Sequence, residues 1–193
     1  MRRLGFLGAA ALLVLAFAAP VDARERVRES GTFNNFSSFS TTCSGNTCTD
    51  TGVDVFSGDA ETLVVCFNEF TYNTRTGRPV SQRGGCTETD SSVLTISSSF
   101  SVSLAPTAVT LFNCNQRRCT EGATVTVSAS DQAIGPIQTV TGRVTIKDGT
   151  CTTRITFSDR SAEVAGTLTI DGTTLDEQGF ATVSSQTATT SCR

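Results

Sequence analysis

Histidine and tryptophan are missing from this chain of 193 residues, and tyrosine, methionine and lysine occur once each, as Tyr72, Met1 and Lys147. Without histidine there is no Ser-His-Asp or Cys-His arrangement, no imidazole metal site and no side chain that titrates near neutrality by default. With a single Tyr there is no aromatic platform of the kind on which sugar-binding surfaces stack their ligands. Basic residues are outnumbered, 15 Lys plus Arg against 18 Asp plus Glu, which argues against nucleic acid or an anionic membrane as partner. Only one long apolar run occurs, Leu4 to Ala19, and it is too short and too Ala-rich for a membrane span.

Arg2 and Arg3 precede that run and Val21-Asp22-Ala23 follows it, so residues 1–23 read as a secretory leader cut after Ala23. No Cys lies close behind the cut, so neither a lipid nor a membrane anchor is expected. The 170 residues that remain carry 13 basic and 17 acidic side chains, a net charge of −4. That length suits one domain, expected over 31–193, behind a charged, flexible lead-in at 24–30.

What the chain has in abundance is alternation. Val93 to Leu104 (VLTISSSFSVSL) puts Leu94, Ile96, Ser98, Phe100, Val102 and Leu104 on one face and, from Thr95 on, only Ser and Thr on the other. It reads as one strand of roughly 36 Å at about 3.3 Å per residue. Pro106 marks a turn before a further strand at Ala108–Phe112. Thr62 to Tyr72 is apolar on both faces, as a central strand would be. Phe33 and Phe39 share a face and Phe36 takes the other. Later segments alternate around 123–130, 140–146, 151–157 and 162–170, with turn signals at Lys147-Asp148-Gly149 and Asp171-Gly172; Phe180 to Thr190 is a last, weak strand. About ten strands and no convincing helix predict an all-β, antiparallel sandwich.

Eight Cys all follow the leader, and an even number in an exported chain reads as four disulfides. Short loops favour Cys43–Cys48, Cys66–Cys86, Cys114–Cys119 and Cys151–Cys192. No metal and no cofactor is expected. Cys43-x4-Cys48 and Cys114-x4-Cys119 also mark a faint internal repeat at an offset of 71, in which Val53, Val55 and Asp59 align with Val125, Val127 and Asp131 after one insertion. The halves would run over about 43–113 and 114–193.

Three features could carry function. Glu69 lies in step with Leu63, Val65 and Phe67; burial would raise its pKa toward that of a catalytic acid, whereas a neighbouring Arg would make it an ordinary ion pair. Asn73 to Gly85 reads as the longest strand-free stretch. It carries Arg75, Arg78 and Arg83 beside Tyr72, a set able to hold a carboxylate or sulfate, or simply to be a solvated loop. Arg117 and Arg118 repeat the pattern on a smaller Cys loop. The hydroxyl rows of the strands are the third feature, read either as the solvent side of a sheet or as a flat surface for polysaccharide.

Cys86-Thr87-Glu88, the Cys-x4-Cys loops, Ala165–Gly172 (AGTLTIDG) and Ala181–Cys192 (ATVSSQTATTSC) resemble stretches of exported Ser/Thr-rich all-β proteins of high-GC bacteria. The resemblance implies export and an all-β fold, with no activity to carry over. The expectation is a secreted, non-catalytic binding or structural module for an extracellular ligand, an acidic glycan among the candidates. A carboxylate-dependent hydrolase centred on Glu69 is the alternative, and a surface or filament subunit joined through strand edges is the third.

Overall fold

Alternation becomes strand along almost the whole chain. The computed structural model describes residues 26–57, 61–114 and 119–192, and these form ten strands: β1 (Arg26–Ser44), β2 (Thr47–Ser57), β3 (Thr62–Asn73), β4 (Pro79–Asp90), β5 (Leu94–Ile96), β6 (Ser101–Cys114), β7 (Cys119–Ala133), β8 (Gln138–Asp148), β9 (Cys151–Ile170) and β10 (Thr173–Cys192). Every pairing is antiparallel. The expected leader, together with Asp59, Arg117 and Arg118, lies outside the described residues.

The sheet runs β10-β1-β2-β3-β4-β6-β7-β9, and β9 pairs back onto β10, so eight strands close into a ring. The two packed faces expected of a sandwich are opposite walls of this one sheet. Closure covers the edges of those eight strands, most sparsely between β4 and β6, where Gly84 opposite Phe112 is the register pair. The ring divides into two runs of four, β1–β4 and then β6, β7, β9 and β10. Each run opens with a hairpin whose facing Cys positions are in register, Cys43 with Cys48 and Cys114 with Cys119.

Inward positions recur at every second residue, and large and small side chains share the interior. Phe36, Phe67 and Phe100 are buried in one cluster with Ala129, Ala162 and Ala181, and Phe36 lies directly beside Ala181 on the neighbouring strand. Val53, Val55, Leu63, Val65, Val102, Leu104, Val109, Val125, Val127, Val164 and Leu168 fill the space between. Close packing of this kind makes each wall depend on the volume of the other.

Three strands are longer than the ring needs. β1, β9 and β10 have 19, 20 and 20 residues, against 11 to 14 for β2, β3, β4 and β6. β8 prolongs the line of β7 along the same edge of β9: Ala133 faces Val164, and Gln138 faces Ser161 after the Ile134–Ile137 kink that contains Pro136. Beyond the ring, β8, the first half of β9, the second half of β10 and the start of β1 therefore continue as a four-stranded wing. Among the described residues it is a single layer with no second sheet over either face. The wing ends on the turn at Gly149 (φ 56°) and on Cys151–Cys192.

Several sequence expectations change. Val93–Leu104 is not one strand but a hairpin: β5 folds back on β6, pairing Leu94 with Leu104 and Ile96 with Val102. The serines between them make the turn. Ser97 Oγ accepts from the Ser101 amide, the Ser97 carbonyl accepts from the Phe100 amide, and Phe100 sits at φ 59° with its ring fully buried. Ser side chains that bond the local backbone favour such turns, and the two-residue period is the same on both arms, so the face pattern could not distinguish strand from hairpin. Pro106 lies within β6 at a register shift between Leu104 and Thr107. Residues 73–85 are not a free loop, because β4 begins at Pro79 and pairs along β3; only Thr74–Arg78 is turn. Of the lead-in, Arg26–Ser30 belongs to β1 and pairs with β10.

Three of the four expected disulfides are in place, Cys43–Cys48, Cys66–Cys86 and Cys151–Cys192, each joining residues directly opposed in register. The side chains of Cys114 and Cys119 lie outside those described. Loop-closure entropy scales with the residues enclosed, so the separation of 41 at Cys151–Cys192 should matter more than the separation of 5 at Cys43–Cys48. Replacing each pair by Ala should cost about 4 and about 2 kcal/mol respectively in urea unfolding. The reverse order would mean that native sheet pairing, not chain entropy, sets the contribution.

Candidate functional site

Glu69 and Arg83 face each other across β3 and β4. Arg83 donates from Nε to Oε1 and from Nη2 to Oε2, both at 2.8 Å, and its guanidinium lies 6.0 Å from the centre of the Phe67 ring. Hydrogen bonding to Glu69 holds the Arg83 pKa above its ordinary value against the opposing effect of partial burial, with the charges of Glu69 and Asp171 adding to the rise. Both carboxylate oxygens of Glu69 are thus engaged by a fixed cation. Tyr72 stacks on Phe70, with ring centres 5.8 Å apart, on the opposite face of β3 from Glu69. Arg75 and Arg78 are exposed on the turn, whose shape is set by Asn73 Oδ1 accepting from the amides of Arg75 and Thr76. Glu69 and Arg83 are therefore joined, while Tyr72, Arg75 and Arg78 point elsewhere. A shallow, open recess bordered by Asn68, Gln82, Arg83, Gly84 and Phe112 lies beside the ion pair.

A second acidic arrangement lies inside the ring. Asp131 on β7 and Glu177 on β10 both face Gly166 on β9, the strand between them, and are 1% and 4% exposed. An added Cβ at Gly166 would strike the Ser130 carbonyl and the Asp131 carboxylate, so the missing side chain is what admits the acids. Ser38, 2% exposed, adjoins Glu177, and neither its hydroxyl nor the four carboxyl oxygens has a well-formed hydrogen bond among the described residues. Burial pushes the Glu177 carboxyl up to about 8; the Ser38 hydroxyl opposes that shift and the Asp131 carboxyl adds to it. Asp131 is raised as well, chiefly by burial. Two acids this close share a proton more easily than they carry two charges. Sequence alone placed Asp131 in step with Val127 but gave Glu177 no role, because their meeting depends on the order β7-β9-β10.

The wing presents the third arrangement. Its register puts Val140, Val144, Ile146, Ile155, Phe157, Ala188, Val27 and Phe33 on one face. Val140, Val144 and Ile146 are 58%, 46% and 43% exposed, and the Phe157 ring lies over Gly142, where a Cβ would collide with it. The other face carries Thr and Ser with Arg26, Arg28, Arg143, Lys147, Arg154 and Arg160. Arg160 is committed at the root of the wing, donating to the Ser98 carbonyl at 2.8 Å with its guanidinium 5.4 Å from the Phe100 ring centre. β8 is exposed along nearly all of its length, and its outer edge has no strand beside it among the described residues.

Among the described residues no group of His, Cys, Asp and Glu is arranged to hold a metal ion, and no helix is long and apolar enough to cross a membrane. No family model matches the chain, and no curated protein or solved structure matches it.

Proposed function

We propose that this chain is a non-catalytic extracellular binding or structural module whose contact surface is the wing. The observation that carries the reading is a single-layer sheet, with aliphatic side chains exposed on one face and guanidinium groups on the other, extending from a ring that is already packed. Sheets in folded proteins normally cover at least one face, and an uncovered aliphatic face marks a contact surface. The disulfides support an oxidising compartment. A hydrolase has less support: Glu69 is held by Arg83, and the acids with raised pKa are sealed within the ring. Lys substitutions at Val140 and Val144, or Ser substitutions at Arg143 and Arg154, should leave the melting temperature within a few degrees while removing the protein's binding or assembly. A function lost with Glu69→Gln but kept by every wing variant would move the site to the β3–β4 hairpin.

Assembly of copies through the edge of β8 is the second reading, favoured by eleven residues of strand with a free edge. Sedimentation at rising protein concentration should then show larger species that Val144→Lys suppresses. A monomer at every concentration would dispose of it.

A further inference from the structure

We infer that the cationic face of the wing is a binding surface for an acidic polysaccharide, an inference that rests on the wing being the contact surface. The partition of charge within the wing points to it. All six basic residues of the four paired segments fall on one face, and their three acids, Glu29, Asp148 and Asp159, fall on the other. Arg160 is tied to Ser98 and Phe100, but Arg26, Arg28, Arg143, Lys147 and Arg154 are exposed and make no ion pair among the described residues. Four of the five occupy two adjacent cross-strand rows at the wing tip. One row reads Lys147, Thr152, Ser191, Arg26, and the next reads Thr145, Arg154, Thr189, Arg28. Arg143 stands in the third row.

Four strands about 4.8 Å apart make this face about 15 Å wide, and successive rows lie about 6.7 Å from one another. Cations therefore stand at both edges of the strip, with Arg154 between them and hydroxyls at the other inner positions of these two rows. Guanidinium groups pair with carboxylate or sulfate in two-pronged fashion, and Thr and Ser hydroxyls both donate to and accept from sugar hydroxyls. An extended chain carrying both anionic groups and hydroxyls is complementary to that strip. Single-stranded nucleic acid is not, because it is held by stacking its bases on aromatic rings and this face has none. The overall negative charge of the protein does not oppose binding, since charges beyond a Debye length of about 8–10 Å are screened at moderate salt.

The test is retention of the full chain on immobilised sulfated dextran and on immobilised polygalacturonate. Wild type should bind at least one of them and lose more than tenfold in affinity between 50 and 200 mM salt, in the manner of multi-site ionic binding. Arg143→Ser/Lys147→Ser/Arg154→Ser should lose binding at least tenfold with an unchanged melting temperature. Arg75→Ser/Arg78→Ser, which removes as exposed a pair of cations at the opposite end of β1, should bind as wild type does. Which of the two supports retains the protein distinguishes sulfate from carboxylate as the recognised group. Wild type that ignores both supports overturns this inference and leaves the β8 edge as the contact. Binding lost with Arg75 and Arg78 but kept by the wing variant overturns both this inference and the wing as contact surface. Tighter binding to single-stranded DNA than to either polysaccharide at equal salt overturns the assigned ligand class.

Discussion

Val102→Asp should cost at least about 4 kcal/mol of stability, the largest loss expected of any single change considered, because it buries a charge without a counter-ion. Val102 is 1% exposed on β6 and stands directly opposite Asp131 on β7. The new carboxyl would thus be the third acid in a site that already crowds two, and no basic side chain contributes to the titration of either one there. Ser103→Asp, one residue along and facing solvent opposite Ser130, should cost under about 1 kcal/mol. Urea unfolding of the two variants at neutral pH measures the contrast. Similar losses in both would show that the inward face of β6 is misassigned.

The buried acid pair should make the protein less stable at pH 8 than at pH 5. Folded, Glu177 keeps its proton up to about 8, whereas the unfolded chain releases it near the ordinary value of 4.5. Between those limits the folded state binds more protons, so stability is fully present below about 4.5 and is lost as pH rises toward 8. The slope is at most about 1.4 kcal/mol per pH unit for one proton, roughly 4 kcal/mol over the window. Below it, surface carboxylates act in the opposite sense, Asp90 among them, its pKa lowered by hydrogen bonds from the Ser92 side chain and amide. Glu177→Gln cannot ionise, so it should flatten the profile and exceed wild type in stability at pH 8. Urea midpoints at pH 5, 6, 7 and 8 for both proteins check this. A wild type that becomes more stable between pH 5 and pH 8 would mean that the pair is ionised and neutralised by a cation.

The all-β fold, the inward faces and the disulfides Cys43–Cys48 and Cys66–Cys86 were legible in the amino-acid sequence because each depends on short-range regularity. A period of two places Val53, Val55, Val125, Val127, Val164 and Leu168 inside whatever their strands pair with, and all six are buried. Asp171-Gly172 adopts the two positive φ values, 49° and 81°, that a tight hairpin turn demands. Cys66 and Cys86 could be matched because the chain between them is short enough to fold straight back. The face pattern is the same for one long strand and for the hairpin of β5 and β6, so Leu94, Phe100, Val102 and Leu104 are buried as their alternation implies although the chain turns between them.

Everything that depends on which strands lie side by side required the tertiary structure. Asp131, Gly166 and Glu177 are far apart in the chain and meet only because β9 lies between β7 and β10. Glu69 looked like a candidate acid until the pairing of β4 set Arg83 opposite it. The wing is a matter of unequal lengths, since β2 and β6 stop where β1, β9 and β10 continue. A strand whose neighbours run out exposes both faces, and a sequence that alternates aliphatic with hydroxyl and cationic residues reads the same whether or not anything covers it. Local patterning sets which way each side chain points; only the paired lengths of the strands decide whether it points into a core, at another charge or into solvent.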